Sequence, residues 1–233
     1  MKYEFTPCWI LSSPRTGSTY LCDLLNSTGL FGNNGTSDPV TGEVDRWTEY
    51  YCAKFFKNSY IVNPPKINKI HYCQYENFFG NYDVSNILPK MKYVLLRRKD
   101  ICAVAVSKYF VTEGAPFMDN KERWNIHNEE EVKIMQNMKL KFNKQKMIMN
   151  YNKSKKEYFE WDNFLKDKQF IEIEYEKLVE DPIGSTKKVL NYMGLEGSPY
   201  ILDVKNPIKL DHPQKKQFLS ILERLTRGYK LFK

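Results

Sequence analysis

Residues Ile10–Tyr20 read Ile-Leu-Ser-Ser-Pro-Arg-Thr-Gly-Ser-Thr-Tyr, and this stretch constrains the chain more than any other. A short apolar run, Cys8–Leu11, enters a loop of small and hydroxyl residues holding one Gly and one Arg. Leu21, Leu24 and Leu25 then recur at helical spacing. A buried strand, a small-residue loop and a helix N-terminus form a site for phosphate or sulfate. Backbone N–H groups face the anion, the helix dipole favours negative charge, and hydroxyls add donors. The plainer reading is a tight strand-to-helix turn that binds nothing.

The Walker A pattern, G-x-x-x-x-G-K-[ST], does not fit. With Gly17 as its second Gly, the first falls on Ser12 and the Lys on Ser18. The cation instead precedes the Gly, at Arg15. Pro14-Arg-Thr-Gly-Ser-Thr-Tyr20 resembles the Pro-Lys-Ser-Gly-Thr-Thr-Trp loop of sulfotransferases that use 3′-phosphoadenosine 5′-phosphosulfate (PAPS). It is closer still to the bacterial branch typified by trehalose 2-sulfotransferase.

Length and charge are compatible with that resemblance without deciding it. At 233 residues a single domain over 1–233 is the simplest count. The net charge of +8, from 36 basic and 28 acidic residues, suits an anionic ligand and equally suits nucleic acid. Much of the excess is Lys between 139 and 156, expected on solvated helix faces. Five scattered cysteines with no C-x-x-C pair indicate neither a zinc site nor a disulfide framework, and a reducing compartment is expected. No apolar run approaches the ~18–20 residues that span a bilayer. A cytoplasmic protein without a membrane span is therefore expected.

The pattern alternates short strands (4–11, 67–72, 92–97, 169–174) with helices (18–28, 100–112, within 122–166, 183–193, 213–226). This predicts an α/β fold with a parallel sheet covered on both faces. Met135, Met138, Met147 and Met149 are expected in a core. The irregular segments 31–66 and 113–121 are candidate substrate loops. Trp47, Tyr50, Tyr51, Phe55, Phe56 and Tyr60 either line an acceptor pocket or pack inside.

A second signal is Tyr93-Val-Leu-Leu-Arg-Arg-Lys-Asp100, followed by a helix carrying Ser107. Asp100 is a good N-cap. An Arg at a strand end and a Ser on the next helix can grip one phosphate, or simply solvate and pack. The segment resembles the 3′-phosphate-binding element of PAPS sulfotransferases, which implies that role for Arg98 and Ser107 and leaves Arg97 spare. A third signal is Asn68-Lys-Ile-His71-Tyr-Cys-Gln74, where strand alternation places Lys69 and His71 on one face. Sulfuryl transfer needs a base for the acceptor and a cation near the leaving oxygen. The pair resembles the Lys-Thr-His of cytosolic sulfotransferases, which implies His71 as base and Lys69 as leaving-group stabiliser. Lys69 and Gln74 also resemble the Lys-x-x-x-x-Gln of the trehalose branch.

One departure stands out. The trehalose branch places its catalytic Glu just after the first helix, where this chain reads Gly32-Asn-Asn-Gly-Thr-Ser-Asp38-Pro. Asp38 and Glu43 are the nearest carboxylates and compete with His71 as base. A fourth signal, Tyr175-Glu-Lys-Leu-Val-Glu-Asp-Pro182, looks very like the family's Tyr-Glu-Asp-Leu-x-x-Asp-Pro block, which implies Tyr175 near the adenine. Near the C-terminus, Lys215 or Lys216 falls where the family has a basic loop over the nucleotide, with His212 a minor candidate.

The resemblance implies a P-loop-like sulfotransferase fold and transfer from PAPS to a hydroxyl or amine of a small-molecule or carbohydrate acceptor. The product is adenosine 3′,5′-bisphosphate, and no metal is required because the cations are side chains. Arg15, Thr16, Gly17, Ser18, Thr19 and Tyr20 would hold the 5′-phosphosulfate, with Arg15 also counted as catalytic. No nucleic-acid partner is expected, and a homodimer is among the assemblies left open. Two competitors are a P-loop nucleotide or small-molecule kinase and a basic nucleic-acid-binding module. The kinase needs a loop Lys and an acidic Mg²⁺ ligand; strand 92–97 ends in two arginines instead.

Overall fold

The computed structural model describes residues 8–28, 30, 67–80, 91–114, 133, 137–195 and 212–229. Four strands, β1 (Cys8–Ser12), β2 (Ile67–His71), β3 (Lys92–Arg97) and β4 (Phe170–Glu174), form one sheet in the order β2-β1-β3-β4. Every pair is parallel. The helices are α1 (Ser18–Ser27), α2 (Tyr72–Phe79), α3 (Ile101–Gly114), α4 (Lys144–Leu165), α5 (Tyr175–Glu180), α6 (Pro182–Met193) and α7 (Pro213–Tyr229). The expected α/β architecture with a flanked parallel sheet is present.

The chain packs as two compact units. The first, 1–99 with 157–205, contains the whole sheet. Strand alternation gives it two cores. Cys8, Ile10, Val94, Leu96 and Ile173 pack with α1, α5 and α6 on one face. Trp9, Leu11, Ile70, Tyr93 and Leu95 pack with α2 and the end of α4 on the other. Because both faces are covered, β1 is buried at every position, which explains its unbroken apolar run. The second unit, 100–156 with 206–233, is helical around Val106, Tyr109, Phe110, Met147, Phe218 and Leu222.

The main departures from the sequence expectation are two short helices, α2 and α5. The strand expected to reach residue 72 stops at His71, and Tyr72 opens α2, which the alternation analysis missed. Tyr72, Tyr75 and Phe79 recur at helical spacing, and Tyr72 and Tyr75 lie with ring centroids 5.3 and 5.4 Å from Trp161. Tyr175 opens α5, a short helix absent from the sequence expectation, directly after the strand expected over 169–174. Of the methionines, Met138 and Met147 are buried, but Met149 is 61% exposed, so helical spacing misassigned it to the core; Met135 lies outside the described residues. The described lysines between 139 and 156 are exposed, as expected. No described helix is long and apolar enough to cross a membrane.

The cysteines Cys8 and Cys22 are fully buried, and desolvation pushes their thiols up to about 12 and about 11. Tyr158 is likewise pushed to about 12, by burial first. Each group is easier to deprotonate in the unfolded chain, so the unfolded state holds fewer protons above the ordinary thiol value of 9.0. Stability from these groups is complete below that pH and is lost as pH rises towards 11–12. Urea midpoints are expected to fall steeply between pH 9 and 11 and less steeply in Cys8→Ala/Cys22→Ala; equal slopes would contradict this.

Candidate functional site

Parallel pairing brings the carboxyl ends of the strands to one edge of the sheet. Ser12 pairs with His71 on one side and with Leu96 on the other, while Arg97 pairs with Glu174. Because β2 and β3 flank β1 on opposite sides, β1 ends at a topological switch point, where α/β sheets bind ligands.

The loop leaving β1 turns sharply. Arg15 and Gly17 both have left-handed backbone, with φ of 72° and 85°. For Arg15 this conformation is sterically costly, of the order of 1 kcal/mol or more. Thr16 donates its hydroxyl to the Ser13 carbonyl at 2.7 Å, closing the turn between them. Gly17 is the N-cap of α1 and has no side chain to offer, so the first-turn N–H groups face an acceptor from outside the helix. Ser18 and Tyr20 are buried, Thr19 half-buried.

Tyr175 closes one side of this loop. A Cβ built on Gly17 would lie 2.5 Å from Tyr175 Cδ2, so the ring packs directly on the glycine backbone. The same ring carries the Arg98 guanidinium 4.6 Å from its centroid. Arg15, half-buried, has its pKa lowered first by desolvation and then by the Arg98 charge, with Tyr175 acting the other way. The two like charges are therefore near enough to repel one another. Arg98 Nε is buried and has no hydrogen-bond partner among the described residues.

Adjacent Arg97 is the last residue of β3. It pairs with Asp162 and sits 5.6 Å from the Tyr158 ring centroid. Tyr158 in turn clamps the Arg98 backbone, accepting from its N–H at 3.1 Å and donating to its carbonyl at 3.0 Å.

On the other flank, Lys69 and His71 share one face of β2, as expected from alternation. Lys69 is only 3% exposed, with Nζ 3.5 Å from Thr19 Oγ1. His71 Nδ1 lies 2.8 Å from Ser12 Oγ, and its backbone N–H donates to Gln74 Oε1 at 2.9 Å. His71 is thus the N-cap residue of α2, and Gln74 anchors that cap. The role of Ser12 was not found from sequence, although Ser12 and His71 sit opposite one another in register.

The first unit therefore assembles the Arg15–Tyr20 loop, Lys69, His71, Arg98 and Tyr175 around one sheet edge. Ser107 belongs to the second unit, buried on α3 at 6% exposure. Asp100 caps that helix, accepting from Ala103 N–H at 2.8 Å. His212 is also in the second unit and is buried; Nδ1 accepts from Gln214 N–H at 3.1 Å, and Nε2 lies 2.8 Å from the Met138 carbonyl. Those bonds tie down the start of α7, on whose first turn Lys215 and Lys216 sit. Asp38, Glu43 and the aromatic segment 31–66 lie outside the described residues. Among the described residues no cluster of His, Cys, Asp and Glu is placed to hold a metal ion.

The fold thus carries a strand–loop–helix turn on a parallel α/β sheet, with arginines at a neighbouring strand end. The chain belongs to the sulfotransferase family: the family model described as "Sulfotransferase domain" matches residues 5–221. It is also similar to the crystal structure of a sulfotransferase from Alicyclobacillus acidocaldarius, at 12% identity and a TM-score of 0.48, covering 94% of this chain and 92% of that one. The sulfotransferase domain of the Synechococcus PCC 7002 olefin synthase matches at 15% identity and 0.39, covering 96% of each chain. The sulfotransferase domain from the curacin biosynthetic pathway matches at 14% and 0.38, covering 95% and 97%. A comparison with curated protein sequences gives no match.

Gly17→Ala tests the packing of Tyr175 on the loop. The substitution is expected to lower unfolding free energy by about 1–3 kcal/mol, from strain at positive φ plus the ring clash. Adding Tyr175→Ala removes the clash, so the double variant is expected to lose less than the sum of the singles. Strict additivity in urea unfolding would show that ring and glycine do not press on one another.

Proposed function

We propose that the protein transfers a sulfuryl group from PAPS to a hydroxyl or amine of a small-molecule or carbohydrate acceptor, releasing adenosine 3′,5′-bisphosphate. The observation that carries this reading is the Arg98 guanidinium lying over the Tyr175 ring that packs on Gly17 of the loop, beside a helix N-terminus with no side-chain cap and near enough to Arg15 for the two charges to repel. A bound anion would relieve the repulsion between the guanidiniums and offer an acceptor to the buried Arg98 Nε.

In this reading Arg15 and the backbone and hydroxyls of Thr16–Thr19 hold the 5′-phosphosulfate, with Tyr20 lining the first turn. Arg98 takes the 3′-phosphate, and on the sequence resemblance alone Ser107 is assigned to the same phosphate. Tyr175 borders the nucleotide, its position against Gly17 and Arg98 supporting a place beside the phosphates as much as the adenine. His71 accepts the acceptor's proton while the new S–O or S–N bond forms in line with the breaking one. The breaking S–O bond leaves its electron pair on the bridging oxygen of the 5′-phosphate, and Lys69 stabilises that charge. Removing one such electrostatic contact typically slows the reaction ~10²–10³-fold.

In this reading Ser12, 2.8 Å from His71 Nδ1, orients the imidazole. Asp38 and Glu43 remain the competing base assignments. The Lys-x-His spacing favours the cytosolic type of mechanism over that of the trehalose branch. The family match over 5–221 supports treating residues 1–233 as one functional domain, although the chain packs as two units. Lys215 and Lys216 are kept as candidate nucleotide contacts.

Ligand-dependent melting tests the donor. Adenosine 3′,5′-bisphosphate is expected to raise the melting temperature without Mg²⁺, and ATP is not; Arg15→Ala and Arg98→Ala should each abolish the shift. Stabilisation only by Mg²⁺-ATP would indicate a kinase, and only by oligonucleotides a nucleic-acid-binding module. His71→Ala is expected to keep the shift and lose turnover of a labelled donor. Turnover surviving that substitution would move the base to another residue.

A further inference from the structure

We infer that Glu157 is a positioning residue for the anion loop, acting through Ser13; the inference rests on the sulfotransferase reading of that loop. Glu157 lies on α4 and is 2% exposed. Burying a carboxyl group is costly unless it is hydrogen-bonded. Its geometry gives it a use. Glu157 Oε2 accepts the hydroxyl of Ser13, itself fully buried. The Ser13 carbonyl accepts from Thr16 Oγ1 at 2.7 Å. Thr16 stands between Arg15 and Gly17, the two left-handed residues of the loop. The chain Glu157–Ser13–Thr16 therefore reaches the point where the backbone is least willing to stay by itself.

The same stretch of α4 makes the neighbouring contacts. Tyr158 clamps the backbone of Arg98, and Trp161 donates its indole N–H to the Ser12 carbonyl at 2.9 Å. Asp162 takes Arg97. Residues 157–162 thus grip the ends of β1 and β3 together and set the separation between the Arg15 loop and Arg98. Within that grip, Glu157 governs the loop itself. What the loop requires of it is an acceptor for Ser13, not a charge.

The test is the affinity of the full chain for adenosine 3′,5′-bisphosphate, measured by calorimetry for wild type, Glu157→Gln, Glu157→Leu, Ser13→Ala and the Ser13→Ala/Glu157→Leu double variant. Glu157→Gln keeps an acceptor and is expected to bind within about threefold of wild type, whereas Glu157→Leu and Ser13→Ala should each weaken binding by about tenfold or more. The double variant should bind no more weakly than the worse single one, because both changes cut the same chain. A folded Glu157→Leu that binds like wild type overturns the inference. Should that variant not fold, Ser13→Ala with unchanged affinity overturns it equally. Loss of binding in Glu157→Gln as severe as in Glu157→Leu would also overturn it, by making charge the requirement. Wild type failing to bind the nucleotide defeats the functional reading and this inference together; wild type binding with every variant unaltered defeats the inference alone.

Discussion

The site depends on one constraint: β1 is hydrogen-bonded in parallel on both sides, to β2 and to β3. Parallel pairing makes the strands finish on the same edge. Register then decides which residues meet there, and it sets Ser12 level with His71 and Leu96. A loop that begins at Ser13 is thereby delivered between a Lys/His strand end and an Arg strand end. No long-range charge interaction is needed to assemble these groups; backbone hydrogen bonds and two apolar cores do it. Both faces of β1 are covered, so a slip of one residue would exchange the side chains that the two cores receive and undo their packing.

Much of this was legible in the chain. The apolar run before the Ser-Ser-Pro-Arg-Thr-Gly loop and the leucines after it located β1 and α1, because a buried parallel strand and a helix stripe leave strong patterns. Alternation in Asn68–Cys73 placed Lys69 and His71 on one face correctly, although the strand itself ended earlier than expected. The missed helix α2 has a physical reason. Its tyrosines and phenylalanines are as common in strands as in helices, and it follows β2 with no connecting turn. What fixes it is Gln74 bonding back to the His71 N–H, a three-residue signal hidden inside an aromatic run.

Contacts across long sequence separations were not legible. Nothing local in Glu157 or Trp161 announces that they reach Ser13 and Ser12, more than 140 positions away. They are recognisable only once α4 is laid against the end of β1. Tyr175 was read as a family marker near a base; its packing on Gly17 and Arg98 depends on α5 starting directly at the end of β4. Met149 shows the opposite error, since helical spacing suggested a core position and it is 61% exposed. His212, near a basic segment, has both ring nitrogens engaged within its own unit.

Arg97, the last residue of β3, and Arg98, the first beyond it, are neighbours in sequence, yet their side chains meet different partners. One is tethered to Asp162, while the other keeps company with Tyr175. The doubled arginine is therefore no insurance policy: neither can stand in for the other. A one-residue insertion within β3 would keep both arginines in the chain and still bring Arg97 to the place where Arg98 now meets Tyr175.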